Sequence, residues 1–278
     1  MRKVSEMSGE LCLGKLTLII TTRCNLRCAL CCEYVPQHTP FPDMTIDEEG
    51  QILAAAFDVI DHVDTLHLSG GGEPFLHKNL PLMIDKAFEY ETQFDRFMVF
   101  TNSTIPISDD LMAVLIRHKE KTIVHASDYG VTPEQTTRIH HSLQENDINF
   151  RVAHYYGDKQ DFGGWVDFGS FEKRSRSPEE LSDVFANCAV TRDMRGNWRT
   201  RDGKLHWCSR SQRGLELGQL PNFEGDYVDL LDKNLTKDEK QAQMRQIINT
   251  KYLQACDWCS GEQGTHDKTK RHAAAIQM

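Results

Sequence analysis

The sequence predicts an α/β fold of parallel βαβ units, arranged as an open sheet or a full or partial (β/α) barrel. Two observations carry this expectation. Five short apolar runs recur between residues 15 and 154, and the stretches between them have helical patterns with recognisable starts. Alternating strands and helices pack as parallel strands joined by right-handed crossovers, with reactive groups at the carboxyl ends of the strands. The composition agrees, since 39% hydrophobic and 26% charged residues in a chain of 278 can build a sizeable core.

The elements follow in order. KLTLIIT (15–21) is the first expected strand, and Thr45 with Glu48 forms a capping box that opens the first helix. VDTLHLS (63–69) and RFMVFT (96–101) are the next strands, Ser108 caps DDLMAVLIRH, and KTIVHAS (121–127) follows. Thr132 with Pro133 at a first helical position starts another helix, and INFRVAH (148–154) is the fifth strand. Beyond 154 the rhythm breaks into a loop region rich in Gly, Asp and aromatics, with one strand expected at 165–168. Ser177-Pro178, with Glu180, starts a short helix leading to Cys188. From there to 230 the pattern is hairpin-like, with Asp202-Gly203 as turn signal between NWRTR and KLHWCS. A last helix, started by Thr236 and Glu239, is expected to run to about Leu253 and deliver Cys256 and Cys259, and the tail HDKTKRHAAAIQM is expected to be mobile.

Charge and targeting narrow the class. The net charge of −9 argues against a general nucleic-acid-binding surface. No apolar run is long enough for a membrane span, and MRKVSEMSGE lacks the core of a signal peptide, so a cytoplasmic location is expected. In a reducing compartment the nine cysteines then point to metal or redox chemistry rather than disulfides.

Four of those cysteines fall within TRCNLRCALCCE (22–33). Cys24, Cys28 and Cys31 have the spacing C-x3-C-x2-C directly after the first expected strand. A structural zinc site wants four ligands, whereas three thiolates on a cubane iron–sulfur cluster leave one iron open. The second strand ends in Ser69-Gly-Gly-Gly-Glu-Pro74, where glycines let backbone approach a ligand closely.

Together these two motifs resemble the radical S-adenosylmethionine (SAM, AdoMet) superfamily, in which the triplet binds a 4Fe–4S cluster and GGEP holds the amino group of SAM. The resemblance implies a partial (β/α)6 TIM-like barrel. By match it gives SAM-binding roles to Gly71, Gly72 and Glu73, and also to Asn102 and Ser127, for which turn capping is the plainer alternative. Leu30 stands where the family usually has an aromatic residue before the third cysteine, and its apolar side chain can still pack on adenine. The implied chemistry is one-electron cleavage of SAM to a 5′-deoxyadenosyl radical that takes a substrate hydrogen. An electron donor such as flavodoxin or ferredoxin is implied as partner.

Cys188, Cys208, Cys256 and Cys259 form a second set, C-x14-G-x4-C followed by C-x2-C, which suits zinc or an iron–sulfur cluster equally by spacing. Its place after the core resembles the family's SPASM and shortened twitch domains, implying one auxiliary 4Fe–4S cluster on a small β-hairpin-plus-helix domain. The expected division is an extension at 1–13, the barrel at 14–186, the auxiliary domain at 187–263 and a tail at 264–278.

The short form resembles the radical SAM cyclitol dehydrogenases, so the expected function is oxidation of an alcohol to a ketone in a sugar, cyclitol or aminosugar. Asp128, Arg151, His154 and Tyr155, near strand ends, are candidates for the base such a step needs, and each can equally be an ordinary hydrogen-bonding or core group. Seven Lys/Arg against two Asp between Asn187 and Gly214 suit a phosphorylated or nucleotide-linked substrate, a solvated face, or compensation for a four-thiolate cluster. A redox-neutral epimerase of a sugar or peptide would need a hydrogen-donating thiol, and Cys32 and Cys12 are the cysteines outside both sets. Their plainer role is small buried hydrophobe. A non-enzymatic iron–sulfur or zinc module would not need GGEP.

Overall fold

The computed structural model describes residues 9–157, 165–192, 194, 196–261 and 271–278. One nine-stranded sheet organises them. Its strands are β1 (Cys12–Leu13), β2 (Leu16–Leu18), β3 (His62–Leu68), β4 (Phe94–Thr101), β5 (Thr122–Asp128), β6 (Phe150–His154), β7 (Trp198–Thr200), β8 (Lys204–His206) and β9 (Tyr227–Asp229). The order is β6-β5-β4-β3-β2-β7-β8-β9, with β1 also on β3. All pairings from β6 to β7 are parallel; β8 and β9 close the far edge in antiparallel fashion.

The crossovers are helices whose starts follow the sequence signals. Thr45 makes a complete capping box with Glu48 ahead of α1 (Ile46–Val59). α2 (Leu80–Phe88) has Pro81 in its first turn, α3 (Asp109–Arg117) is capped by Ser108, and α4 (Pro133–Glu145) begins on its proline. Their apolar faces cover one side of the sheet: Leu16, Leu18, Leu66, Leu68, Phe97, Val99 and Val124 share a buried cluster with Ile52, Leu53, Met83, Ile84, Leu115 and Leu143. On the opposite face β2, β3 and β7 carry Thr17, His67 and Arg199, with Thr17 in register with both of the others. Parallel strands are ordinarily apolar on both faces. Polar groups on this one mark it as the functional side.

The carboxyl-terminal half departs from expectation in several places. Beyond β6, where a strand at 165–168 is expected, the described residues hold a single bridge between Val166 and Arg271. The Asp202-Gly203 turn forms, with Gly203 at φ +92°, but β7 also pairs with β2, so the hairpin extends the main sheet. α5 (Pro178–Asn187) and the single turn α6 (Ala189–Arg192) flank Cys188, and Ser177 makes its box with Glu180. α7 (Ser209–Glu216) lies where only hairpin is expected. It reads as polar because its buried face is Arg210, Ser211, Gln212 and Arg213, side chains that ordinarily mark solvent. α8 (Lys237–Ile248) stops short of Leu253, and a separate 3-10 turn over Gln254–Trp258 delivers the last cysteines. Among the described residues no helix is long and apolar enough to cross a membrane.

Candidate active site

At the carboxyl ends of the strands a cavity of about 410 Å³ collects most of the first motif and its neighbours. Cys24, Cys28 and Cys31 line it from the loop after β2. Arg23 anchors this loop by donating Nε to Asp43 Oδ1 at 3.0 Å and Nη2 to the Leu76 carbonyl at 2.8 Å. Leu26 N donates to Cys24 Sγ at 3.4 Å, and Leu30 sits in the left-handed region at φ +55°, its side chain on the cavity wall. Burial pushes the Cys24 thiol up to about 11, and raises Cys28 and Cys31 as well. Thiols so buried lose their protons only to a cationic group placed among them.

The second motif packs on the root of this loop. Glu73 N donates to the Arg23 carbonyl at 2.8 Å. The glycines are demanded by that contact: a Cβ on Gly72 would lie 1.9 Å from the Arg23 carbonyl oxygen, and one on Gly71 would lie 2.6 Å from that of Thr21. The Glu73 carboxylate is buried and accepts from Phe75 N at 3.0 Å and Asn102 N at 2.6 Å. Desolvation raises it to about 7 against those hydrogen bonds. Asn102 in turn donates Nδ2 to Asn25 Oδ1 at 2.9 Å and to Cys24 Sγ at 3.8 Å. Ser127 lines the cavity beside Tyr129, which it hydrogen-bonds.

Strand alternation separates the base candidates. Ser127 pairs with Ala153, and Asp128 with His154, so the latter two share the face turned from the cavity. Asp128 Oδ2 lies 3.0 Å from His154 Nδ1 and accepts from Tyr156 OH at 3.1 Å. Arg151 is in register with His125 and is exposed. None of Asp128, Arg151 and His154 lines the cavity; Tyr155 does, stacked on Tyr129 at 5.1 Å between centroids. The sequence reading missed Lys15, Glu33, His67 and Asn197, all of which line it, and had Arg199, which also lines it, only as one of the basic stretch. Polar residues at alternate positions of parallel strands were the available signal for Lys15, Thr17 and His67.

The two spare thiols part company. Cys12 sits at the amino end of the sheet, in register with His62. Cys32 opens into the cavity, where desolvation and then the Glu33 carboxylate raise its thiol.

The structure brings the second cysteine set together around an apolar pocket of about 40 Å³ lined by Cys188, Cys208, Cys256 and Cys259. Cys208 caps α7, its Sγ accepting from Ser211 N at 3.4 Å, and burial pushes it up to about 12. Arg176 Nη1 donates to the carbonyls of Cys256 and Cys259 at 2.8 and 2.9 Å. The Arg210 guanidinium is the first cation acting on Cys259 against the burial that raises its thiol. Among the described residues no three cysteine sulfurs, in either set, lie within 4.8 Å of one another. A zinc ion with thiolates at its usual bond length holds them ~3.8 Å apart.

Three of the basic residues in the stretch are buried, while Arg192 is exposed and Arg201 and Lys204 are half-buried. Arg199, Arg210 and Arg213 are 3%, 4% and 0% exposed, and their partners are protein groups. Arg213 pairs with Glu216 and donates to the Glu33 carbonyl, while Arg210 donates Nη2 to the carbonyls of Ser170 and Trp258. Arg195 lies outside the described residues. The tail is not loose where it is described, since residues 275–278 dock on the Cys24–Cys32 loop.

No protein-family model matches the sequence, and no curated protein matches it. Among solved structures, hexahistidine-tagged anSMEcpe with bound AdoMet aligns with 96% of this chain and 93% of its own, at 11% identity and a TM-score of 0.55. Native anSMEcpe with bound AdoMet and the Kp18Cys peptide aligns over 92% and 88%, at 12% identity and TM-score 0.54. BtrN in complex with AdoMet and 2-DOIA is matched at 14% identity and TM-score 0.42, over 52% of this chain and 58% of its own length, less than two thirds. At such identities the likeness is one of architecture: the chain has the α/β, parallel-sheet fold of solved structures that hold bound AdoMet.

Proposed function

We propose that the chain is a radical SAM enzyme that oxidises an alcohol of a small polar molecule to a ketone and passes an electron to an auxiliary 4Fe–4S cluster. The observation that carries this reading is a shared wall: Phe168, Val190 and Ser209 line both the large cavity and the pocket of the second cysteine set. An electron acceptor held there is one side chain away from a substrate in the cavity.

The donor sets fit the groups proposed for them. Cys24, Cys28 and Cys31 hold the SAM-binding cluster and Cys188, Cys208, Cys256 and Cys259 the auxiliary one, within segments 14–186 and 187–263. Thiolates are the ligands an iron–sulfur cluster takes, and a set of three leaves one iron open. When bound, SAM and its cluster supply a 5′-deoxyadenosyl radical that abstracts hydrogen. The backbone at Gly71, Gly72 and Glu73 receives SAM's amino group, and the Glu73 carboxylate fixes Asn102 at the nucleoside or carboxylate end. Lys15, His67 and Asn197 offer polar contacts to a hydroxylated substrate. Tyr155 and Lys15 are the base candidates facing the cavity, and burial with the Arg199 charge lowers the Lys15 ammonium to about 8. With Arg199, Arg210 and Arg213 engaged by protein partners, an uncharged sugar or cyclitol suits the cavity better than a phosphorylated one.

A second reading has one observation in its favour. Cys32 opens into the same cavity as a protonated thiol, the state a redox-neutral epimerase needs for hydrogen return. A metal-binding module without activity leaves the large cavity unexplained.

Anaerobic reconstitution tests the pair of clusters, with about eight irons per chain expected and about four plus zinc overturning the auxiliary site. Incubation with SAM, reductant and a panel of sugars and cyclitols tests the reaction. Release of 5′-deoxyadenosine with a product two mass units lighter supports oxidation. A product of equal mass in ordinary water and one unit heavier in heavy water supports the epimerase instead.

A further inference from the structure

Residues 275–278 lie antiparallel to the loop that carries the first cysteine triplet. Ala29 N donates to the Ile276 carbonyl at 2.7 Å and Met278 N to the Arg27 carbonyl at 2.9 Å, bracketing a bridge between Cys28 and Gln277. Ala275 is buried in a small cluster with Leu26 and Cys28, against which Cys24, Cys31 and Trp165 pack. Upstream, His272 N donates to the Trp165 carbonyl at 3.0 Å. The segment therefore closes one side of the cysteine loop and ties it to the Trp165 wall of the cavity.

Within it the Gln277 side chain is fully committed. Its Oε1 accepts from Arg27 N at 2.9 Å. Its Nε2 donates to the Ala275 carbonyl at 2.7 Å and to Cys28 Sγ at 3.1 Å. Flipping the amide would set its oxygen against a carbonyl and its nitrogen against an N–H, so the backbone groups fix the orientation and aim one N–H at the sulfur.

The structure assigns Gln277 as a positioning residue of the SAM-binding cluster: its amide donates to the ligating sulfur of Cys28 and raises the reduction potential of that cluster. The assignment rests on the reading of Cys24, Cys28 and Cys31 as cluster ligands. Hydrogen bonds to cluster sulfurs and solvent exclusion are the protein's main controls on potential. A donor at the thiolate stabilises the added negative charge of the reduced state, which must form before SAM is cleaved. Neither the C-x3-C-x2-C spacing nor GGEP encodes this group, which arrives from the other end of the chain.

The test is a redox titration of the anaerobically reconstituted full chain, following by electron paramagnetic resonance the reduced signal that changes on adding AdoMet. Gln277→Leu removes the donor at similar volume, and Gln277→Glu replaces it with a charge. The expected result is a more negative midpoint for the AdoMet-responsive signal in Gln277→Leu, further negative in Gln277→Glu, with wild-type iron content and an unmoved second signal. A midpoint unchanged in both variants, or an equal shift in both signals, overturns the assignment. Should the variants fail to hold iron, wild-type chain labelled with nitrogen-15 in its glutamine side chains decides: nitrogen coupling to the AdoMet-responsive signal supports the contact and its absence overturns it. A wild-type chain with no AdoMet-responsive cluster overturns this assignment together with the cluster reading, and iron analysis of the wild type identifies that case.

Discussion

Arg199 Nη1 and Nη2 each donate to the Glu33 carboxylate at 2.7 Å, and Nη2 also donates to the Gly70 carbonyl at 2.9 Å. One guanidinium on β7 thus ties the end of the cysteine loop to the start of the GGEP turn, and Gln212 of α7 accepts its Nε–H at 2.6 Å. With Arg199 3% exposed, this is a buried bidentate pair, in which losing one partner strands a charge.

Arg199→Met is therefore expected to destabilise the chain by about 3–5 kcal/mol. Glu33→Leu in the same background should cost much less than the sum of the two single changes, because it removes the stranded carboxylate. Urea unfolding under anaerobic conditions measures this. Additive losses would mean the pair is not coupled.

Gly72 and Gly71 make a steric prediction. With a Cβ at position 72 only 1.9 Å from the Arg23 carbonyl oxygen, Gly72→Ala must displace the loop that presents Cys24. We expect loss of AdoMet binding and of the iron held by the first triplet, while the second cysteine set still loads. Gly225→Ala, where no atom lies within 4 Å of the added Cβ, is the matched control and should behave as wild type. Iron analysis and equilibrium AdoMet binding of the variants read both outcomes, and normal binding in Gly72→Ala would show that the two motifs do not touch as described.

Glu49 predicts a pH dependence. It is fully buried on α1, and neither carboxylate oxygen has a hydrogen-bond partner. Burial lifts its carboxyl to about 9 from an ordinary value of 4.5. The folded state then holds a proton that the unfolded chain releases, so Glu49 adds no pH-dependent cost below the lower value. The cost grows by up to about 1.4 kcal/mol per pH unit across the window and levels off above the upper one. Glu49→Gln should unfold at higher urea than wild type, with a gain distinctly larger at about pH 8 than at about pH 6. An equal gain at both values removes the carboxyl as its cause.

The reading of the sequence was strongest where chemistry and local pattern coincide. Capping boxes at Thr45, Ser177 and Thr236 form as their Glu partners suggest, because an N-cap is decided within four residues. The four cysteines of the second set converge although the last two stand far along the chain from the first two. What stayed illegible depends on distant partners. α7 looks like a polar loop until Glu33 and Glu216 are seen to bury its arginines. The tail looks mobile until its backbone is paired with residues 27–29. Asp128 and His154 were singled out for standing near strand ends, a criterion blind to the alternation that turns them from the cavity and turns Ser127 toward it.

Cys32 separates the two functional readings. It immediately follows Cys31 and opens into the cavity, where desolvation first, and then Glu33 and the Cys31 sulfur, raise its thiol. In the oxidation reading the substrate radical leaves by electron loss to the auxiliary cluster, and Cys32 only packs. Cys32→Ser should then retain ketone formation within about threefold, the scale of a contact on the cavity wall changed by under 1 kcal/mol. In the epimerase reading the thiol must return a hydrogen atom, which a hydroxyl cannot do because its O–H bond is too strong, so the variant should lose the equal-mass product. Cys12→Ser, at the amino end of the sheet, controls for general thiol loss and should match wild type in both readings. Turnover of the two variants on one substrate, with the product mass recorded, assigns the thiol's role. Ketone formation abolished in Cys32→Ser but not in Cys12→Ser would count against simple oxidation by the auxiliary cluster.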